Sequence, residues 1–519
     1  MGLRSWILLY SLFAVVVAQF IYGKPAFAHG FGDRYDLPVP LWLYITGAGL
    51  TVAFSFVVIG AYLRGISNTK GYPSINLASS RLVGELVLPK AVQSLKIIAV
   101  LGFFLVVLSG LLGNQTPTKN LAPTTVWVIW WVGFAYVSAL LGNLWSLANP
   151  WKTIFEWSDN LLQRLRKGEQ LSLQLNCPNW LGSWPAVVLF IIFAWIELIS
   201  DYAAQPKLLA VLILIYSLIT WMGMLIFGKD KWLRHGEFFS IIFYYLSCLA
   251  PMCGRLDLDK NPGPDQNISL GSMAFENDQK GDVSSFRSHN WYVRPPGSGL
   301  LHLGKSSYSE MVFILLFLST VTFDGITATP FWNTILFNAY LQFQSIGSLL
   351  VPIMNTIGLL LLPMVFIMAY LLFATLMRLS SASPVKVINL ARTFVYSLIP
   401  IALAYHLAHY LSFLLIHGQL IIPLASDPLG IGWDLLGTAD YRVNIGIINA
   451  KIAWFLGVGA IVAGHVVAVY LAHFYAIQLF SGIRIAIRSQ YPLLVLMVGY
   501  TMISLWILAQ PIVERMPDA

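Results

Sequence analysis

Charge is scarce in this chain. Only 10% of its 519 residues are Asp, Glu, Lys or Arg, against about 25% in an average soluble domain. So little charge cannot clothe a water-facing surface of this size. A soluble enzyme, a nucleic-acid binder and a disordered scaffold are therefore excluded as readings of the whole chain. Cysteine is scarcer still. Cys177, Cys248 and Cys253 are an odd number without CxxC spacing, so neither a disulfide framework nor a thiolate cluster is expected. Ten-residue stretches of alternating polarity are missing, which excludes a transmembrane β-barrel. No Walker loop, GxSxG elbow, dinucleotide fingerprint or HExxH pair occurs. Neither an internal repeat nor a pair of interrupted spans marks an inverted transporter repeat.

Apolar residues fill the space that charge leaves. They make up 57% of the chain, with 18 Trp, 23 Tyr and 31 Phe, and the mean hydropathy is +0.72. The aromatic excess suits membrane interfaces. The expected fold is all-α: a polytopic transmembrane helical bundle seated in the lipid bilayer. Residues 1–28 open with Arg4, run apolar from Trp6 to Tyr22 and end Ala26-Phe27-Ala28. That is the form of a cleavable secretory signal peptide, and cleavage would leave His29 as the first residue, outside the membrane.

Stretches near the 20 residues a bilayer needs recur at about 41–63, 96–113, 124–147, 184–200, 208–228, 309–324, 351–377, 393–417, 451–478 and 491–510. Ten spans are expected, twelve if 236–253 and 331–347 also cross. The first of these is interrupted by Glu237 and Pro251 and is expected to be re-entrant; the second is too polar for a confident span. The expected division is a signal peptide (1–28), an N-terminal transmembrane half (29–253), a polar, partly disordered loop (254–308) and a C-terminal transmembrane half (309–519). The chain carries 31 Lys and Arg against 23 Asp and Glu, a net charge of +8. With His29 outside, the Lys- and Arg-bearing loops fall on the cytoplasmic side, as the positive-inside bias requires.

Ionisable residues at membrane depth are costly and so point to function. His406 and His409 stand one helical turn apart in Tyr405-His406-Leu407-Ala408-His409-Tyr410, on one face. His465 and His473 share a face of the following span, and Gly464 admits a neighbouring helix closely. Imidazoles from two helices could hold a divalent metal ion such as Zn or Cu, or each could simply hydrogen-bond across helices. Asp324 is the carboxylate best placed to act as a base or to orient an imidazole. Glu197 and Asp201 lie one turn apart at the end of another span. After cleavage, the α-amine and imidazole of His29 could together chelate copper, an alternative site. Function then divides between an enzyme, a transporter of protons or metal ions, and a copper-handling membrane subunit.

Several strings, taken together, resemble one family. They are His29-Gly30-Phe31-Gly32-Asp33-Arg34-Tyr35-Asp36-Leu37-Pro38, Phe323-Asp324-Gly325 with Thr329-Pro330-Phe331-Trp332, Ala408-His409-Tyr410, Gly464-His465-Val466 with Ala472-His473, and Arg488-Ser489-Gln490-Tyr491-Pro492-Leu493. The family is that of bacterial polytopic membrane proteins called fenitrothion hydrolases. The resemblance implies a bacterial inner (plasma) membrane. It also implies an apolar small-molecule substrate, a phosphorothioate triester, hydrolysed with release of a nitrophenol. A metal held by His406, His409, His465 and His473 would lower the pKa of its bound water to about 7, with Asp324 as base or orienter.

Overall fold

The computed structural model describes residue 37 and residues 39–62, 75–76, 88–166, 169–178, 180–255 and 290–510. The expected signal peptide, His29 and residues 256–289 of the polar loop lie outside them. Among the described residues, nine helices are long and apolar enough to cross a membrane. They suggest a multi-pass membrane protein.

In chain order the helices that matter are α1 (Leu41–Tyr62), α2 (Leu88–Leu112), α3 (Leu121–Leu141), α4 (Pro150–Leu165), α5 (Trp184–Leu198) and α6 (Pro206–Phe227). There follow α7 (Phe238–Ser247), α8 (Tyr308–Thr327), α9 (Pro330–Gln342) and α10 (Leu350–Ser381). The series closes with α11 (Ile399–His417), α12 (Ala450–Leu479) and α13 (Ile483–Ala509). α11 is the centre of a helical run, Val387–Ser426.

Length separates the spans from the rest. The expected tenth span, 184–200, is α5, with 15 residues, about 22 Å of helix against a hydrocarbon core of about 30 Å. α7 has only 10 residues, about 15 Å, and is too short to cross. Most of it is buried, and Glu237 just before it caps the first turn, accepting from Phe239 N at 3.0 Å and Ser240 N at 2.8 Å. Glu237 also accepts from the Tyr216 hydroxyl. The residue that interrupts this apolar stretch is what allows a helix to start inside the protein. α9, with 13 residues, is likewise too short, and its only buried side chain is Ala339.

Short strands and a helix start flank the undescribed part of the polar loop. β2 (Met252–Arg255) and β3 (Asn290–Val293) pair antiparallel, and β1 (Ile75–Asn76) joins the far edge of β3. Ser307 and Glu310 then form a reciprocal capping box that starts α8. The core has two emphases. Trp130, Trp131, Trp145, Trp151, Phe239 and Phe243 pack edge to face where α3, α4 and α7 meet. Elsewhere α12 runs against α11, and Gly464 makes this possible: a Cβ there would strike Ala404 and lie 2.7 Å from the Pro400 carbonyl oxygen.

Candidate proton-binding site

Three helices bring ionisable groups together at membrane depth. α8 supplies Asp324, one turn from its end, and α11 supplies His406, His409 and Tyr410. α5 supplies Glu197, within electrostatic range of Asp324. The apolar run of α8 fixes Asp324, since most of that helix is buried. The helical repeat of α11 puts His406, Tyr410, Phe413 and His417 on one stripe.

One carboxylate oxygen is the hub. Asp324 Oδ2 lies 2.9 Å from His409 Nε2 and accepts the Tyr410 hydroxyl. Two donors on a single oxygen are what a carboxylate needs away from bulk water. The imidazole is clamped further by Tyr405, whose ring stacks on it with centroids 6.5 Å apart. Asp324 and His409 are not sealed: their side chains are 22% and 26% exposed. From them a row of rings leads along α11 to its end. Tyr410 lies 4.7 Å from His409, Phe413 lies 6.4 Å from Tyr410, and His417, exposed, lies 4.9 Å from Phe413.

His406 sits on the inner side of the hub and is 2% exposed. Its ring lies 4.8 Å from Tyr410, and neither ring nitrogen has a hydrogen-bond partner among the described residues. Trp131 and Tyr136 of α3 stand edge-on to it at 6.1 and 5.4 Å, and the Tyr136 hydroxyl donates to the His406 carbonyl at 3.2 Å. Trp131 belongs to a ten-residue π-helical stretch, Thr124–Gly133. Such wide turns cluster at functional sites. Here the wide turn carries the helix face that packs on His406.

The other two histidines stand apart from this hub. His465 Nδ1 donates to the Ile461 carbonyl at 2.8 Å, and its ring lies 5.8 Å from Tyr500. His473 Nδ1 donates to Gln490 Oε1 at 3.2 Å. Gln490 Nε2 is tied to the Ala486 carbonyl, which leaves Oε1 for the imidazole. Among the described residues no three His, Cys, Asp or Glu side chains are arranged so that they could hold a metal ion. The expected ligand set of His406, His409, His465 and His473 therefore does not converge, and the nearest candidate, His409, spends Nε2 on Asp324. Asp201 is exposed in the turn between α5 and α6. Tyr410 is the site residue that sequence reasoning passed over; its adjacency to His409 was the available signal.

Compared with protein-family models, with curated proteins and with solved structures, the chain matches none.

Proposed function

We propose that this protein is a membrane carrier that takes up and passes on a proton at Asp324 and His409. The supporting observation is the shared Oδ2 of Asp324, engaged by His409 at 2.9 Å and by Tyr410. A carboxylate and an imidazole in contact hold one proton between them as a neutral unit. Losing that proton leaves a bare negative charge at membrane depth, and gaining a second leaves a positive one; both are costly there. The pair thus has a defined proton content that the surrounding protein can change by moving, which is what coupling to transport requires. Partial exposure of the pair gives the proton a way in.

The finer topology belongs to the same reading. The signal peptide 1–28 is removed, the mature N-terminus lies outside, and α5 completes ten spans in a bacterial inner membrane, its 15 residues crossing where the bilayer thins around a short helix. Arg378, Lys386, Arg392, Arg484 and Arg488 then lie on the cytoplasmic side, and Asp324 lies toward the outer one. The test uses proteoliposomes loaded with a pH dye and supplied with a counter-ion ionophore. Lowering the external pH acidifies the lumen faster with the wild-type chain than with Asp324→Asn. Equal rates contradict the proposal.

A second reading draws on the same pair. Asp324 holds the His409 ring as the acid of a general-base dyad holds its imidazole. With Nε2 engaged, Nδ1 is the nitrogen that would take a proton from water. The resulting hydroxide would attack the phosphorus of a phosphorothioate triester, and nitrophenolate would leave with the bonding pair. In this form the reaction needs no metal. Its test is nitrophenolate absorbance from membranes carrying the chain: release that survives chelator and disappears in His409→Gln supports hydrolysis, and no release above control membranes removes it.

A further inference from the structure

A groove lies between α10 and α13. It has a volume of about 580 Å³ and is lined by Phe373, Leu376, Leu379 and Ser380 of α10 and by Tyr491, Pro492 and Val495 of α13. Its origin is legible in the chain. Pro492 sits inside α13 and removes the hydrogen bond that would have used the Arg488 carbonyl. Ser380 of α10 takes up that carbonyl, its hydroxyl donating at 3.0 Å. The two helices are thereby pinned at one level and leave an apolar trough beside the pin, where Leu379, Tyr491 and Val495 are 69%, 51% and 63% exposed. Tyr491 is braced from the other side by Phe56 of α1, with ring centroids 5.8 Å apart.

The end of the trough is basic. Arg378 directly precedes the lining residue Leu379, Arg488 stands one turn before Tyr491 and Pro492, and Arg484 stands one turn earlier still. All three are exposed, and none makes a salt bridge among the described residues. A chain so poor in charge places here three exposed arginines next in sequence or one to two turns from the groove lining, of which Arg378 donates to the Ser383 carbonyl at 3.4 Å.

We infer that the α10–α13 groove is a binding site for one anionic phospholipid. An acyl chain lies in the trough against Phe373, Leu376, Pro492 and Val495. The phosphate and headgroup meet Arg378, Arg484 and Arg488. Basic pockets between transmembrane helices bind acidic headgroups in this way, and guanidinium groups reach up from apolar surroundings to do so. A zwitterionic lipid would fill the trough equally well but would leave the arginines without a matching net charge. The occupant is therefore set by the headgroup. This inference is independent of the proton site.

The test is native mass spectrometry of the full chain, purified in mild detergent and offered dioleoyl-phosphatidylglycerol and dioleoyl-phosphatidylcholine in equal amounts. The wild type retains one phosphatidylglycerol in preference to phosphatidylcholine. Joint Arg484→Gln and Arg488→Gln substitution lowers phosphatidylglycerol binding about 30-fold, as expected for two cations near an acidic headgroup. Val495→Trp, which fills the trough, abolishes retention of both lipids while the protein still elutes as a single species. If that variant fails to fold, Val495→Phe is the milder filler and must lower retention. Equal binding of the two lipids by the wild type overturns the inference. So does undiminished retention when the trough is filled.

Discussion

Asp324 concentrates the chemistry of this protein in one oxygen atom. His409 and Tyr410 both reach it, so the loss of either donor strands part of a charge at membrane depth. Hydrogen bonds to charged groups contribute about 1.5–3 kcal/mol. Tyr410→Phe is therefore expected to lower stability by about that amount, read as the midpoint of thermal unfolding in detergent, while His409→Ala costs at least as much. If Tyr410→Phe unfolds with the wild type, the hydroxyl does not serve Asp324. The spacing of His406 and His409 was enough to place both on one helix face. Asp324 was legible as an ionisable residue near the end of a span, but its partner was not, because pairing across 85 residues depends on how α8 and α11 cross. His465 and His473 show the limit of the same argument. They share a helix with each other, and each satisfies one nitrogen away from the hub, His465 on Ile461 one turn back and His473 across to Gln490 of α13. Helical periodicity puts residues on a face; it does not say what that face meets.

Elements are where apparent anomalies in the sequence acquire reasons. Glu237 looked like an interruption of an apolar stretch and is the cap of α7. Glu237→Ala leaves the Tyr216 hydroxyl and two backbone N–H groups without their acceptor, at about 1–3 kcal/mol for each buried group. The expected result is loss of folded protein from membranes. A variant accumulating and unfolding like the wild type would show that α7 needs no such cap. Gly464 was legible as a site of close helix approach, and the contact with Ala404 and Pro400 bears this out. Gly464→Val is expected to cost about 1–3 kcal/mol through overpacking, measurable by the same unfolding assay, whereas Gly459→Ala, where a Cβ meets nothing within 4 Å, is the matched neutral change. α4 carries a third case. Burial raises the Glu156 carboxyl, but Lys152, Lys229 and Lys96 outweigh it and hold it at about 2, below its ordinary 4.5. Lys96 and Lys229 lie 2.8 and 3.0 Å away. The stabilisation is complete above pH 4.5 and is lost as the pH falls through about 2. It amounts to about 3 kcal/mol at 1.36 kcal/mol per pH unit. Stability measured against pH should therefore fall more steeply in the wild type than in Glu156→Gln between those values. Parallel curves would contradict the assignment.

At the scale of the molecule, apolar run length gave the helical bundle, because a bilayer-spanning segment must satisfy its backbone internally and leaves a long signature. Nine of the ten expected spans appear as helices of sufficient length, and α5 is the short one. The small sheet β1–β3–β2 was invisible, since strands of two to four residues carry too little alternation to stand out from a polar loop. Orientation has a direct check. In a chain freed of its native cysteines, Leu435→Cys and Lys386→Cys lie on either side of the helical run Val387–Ser426. Leu435→Cys should react with an impermeant maleimide on intact cells, and Lys386→Cys only after permeabilisation. Reaction of both on intact cells would mean that this run does not cross. The central claim concerns Asp324 and His409 acting as one proton-binding unit, and the infrared difference spectrum of the reconstituted protein between two pH values tests it most directly. The account predicts that Asp324→Asn and His409→Asn each abolish the same set of carboxyl and imidazole bands. Bands that vanish independently, or persist in both variants, would contradict it.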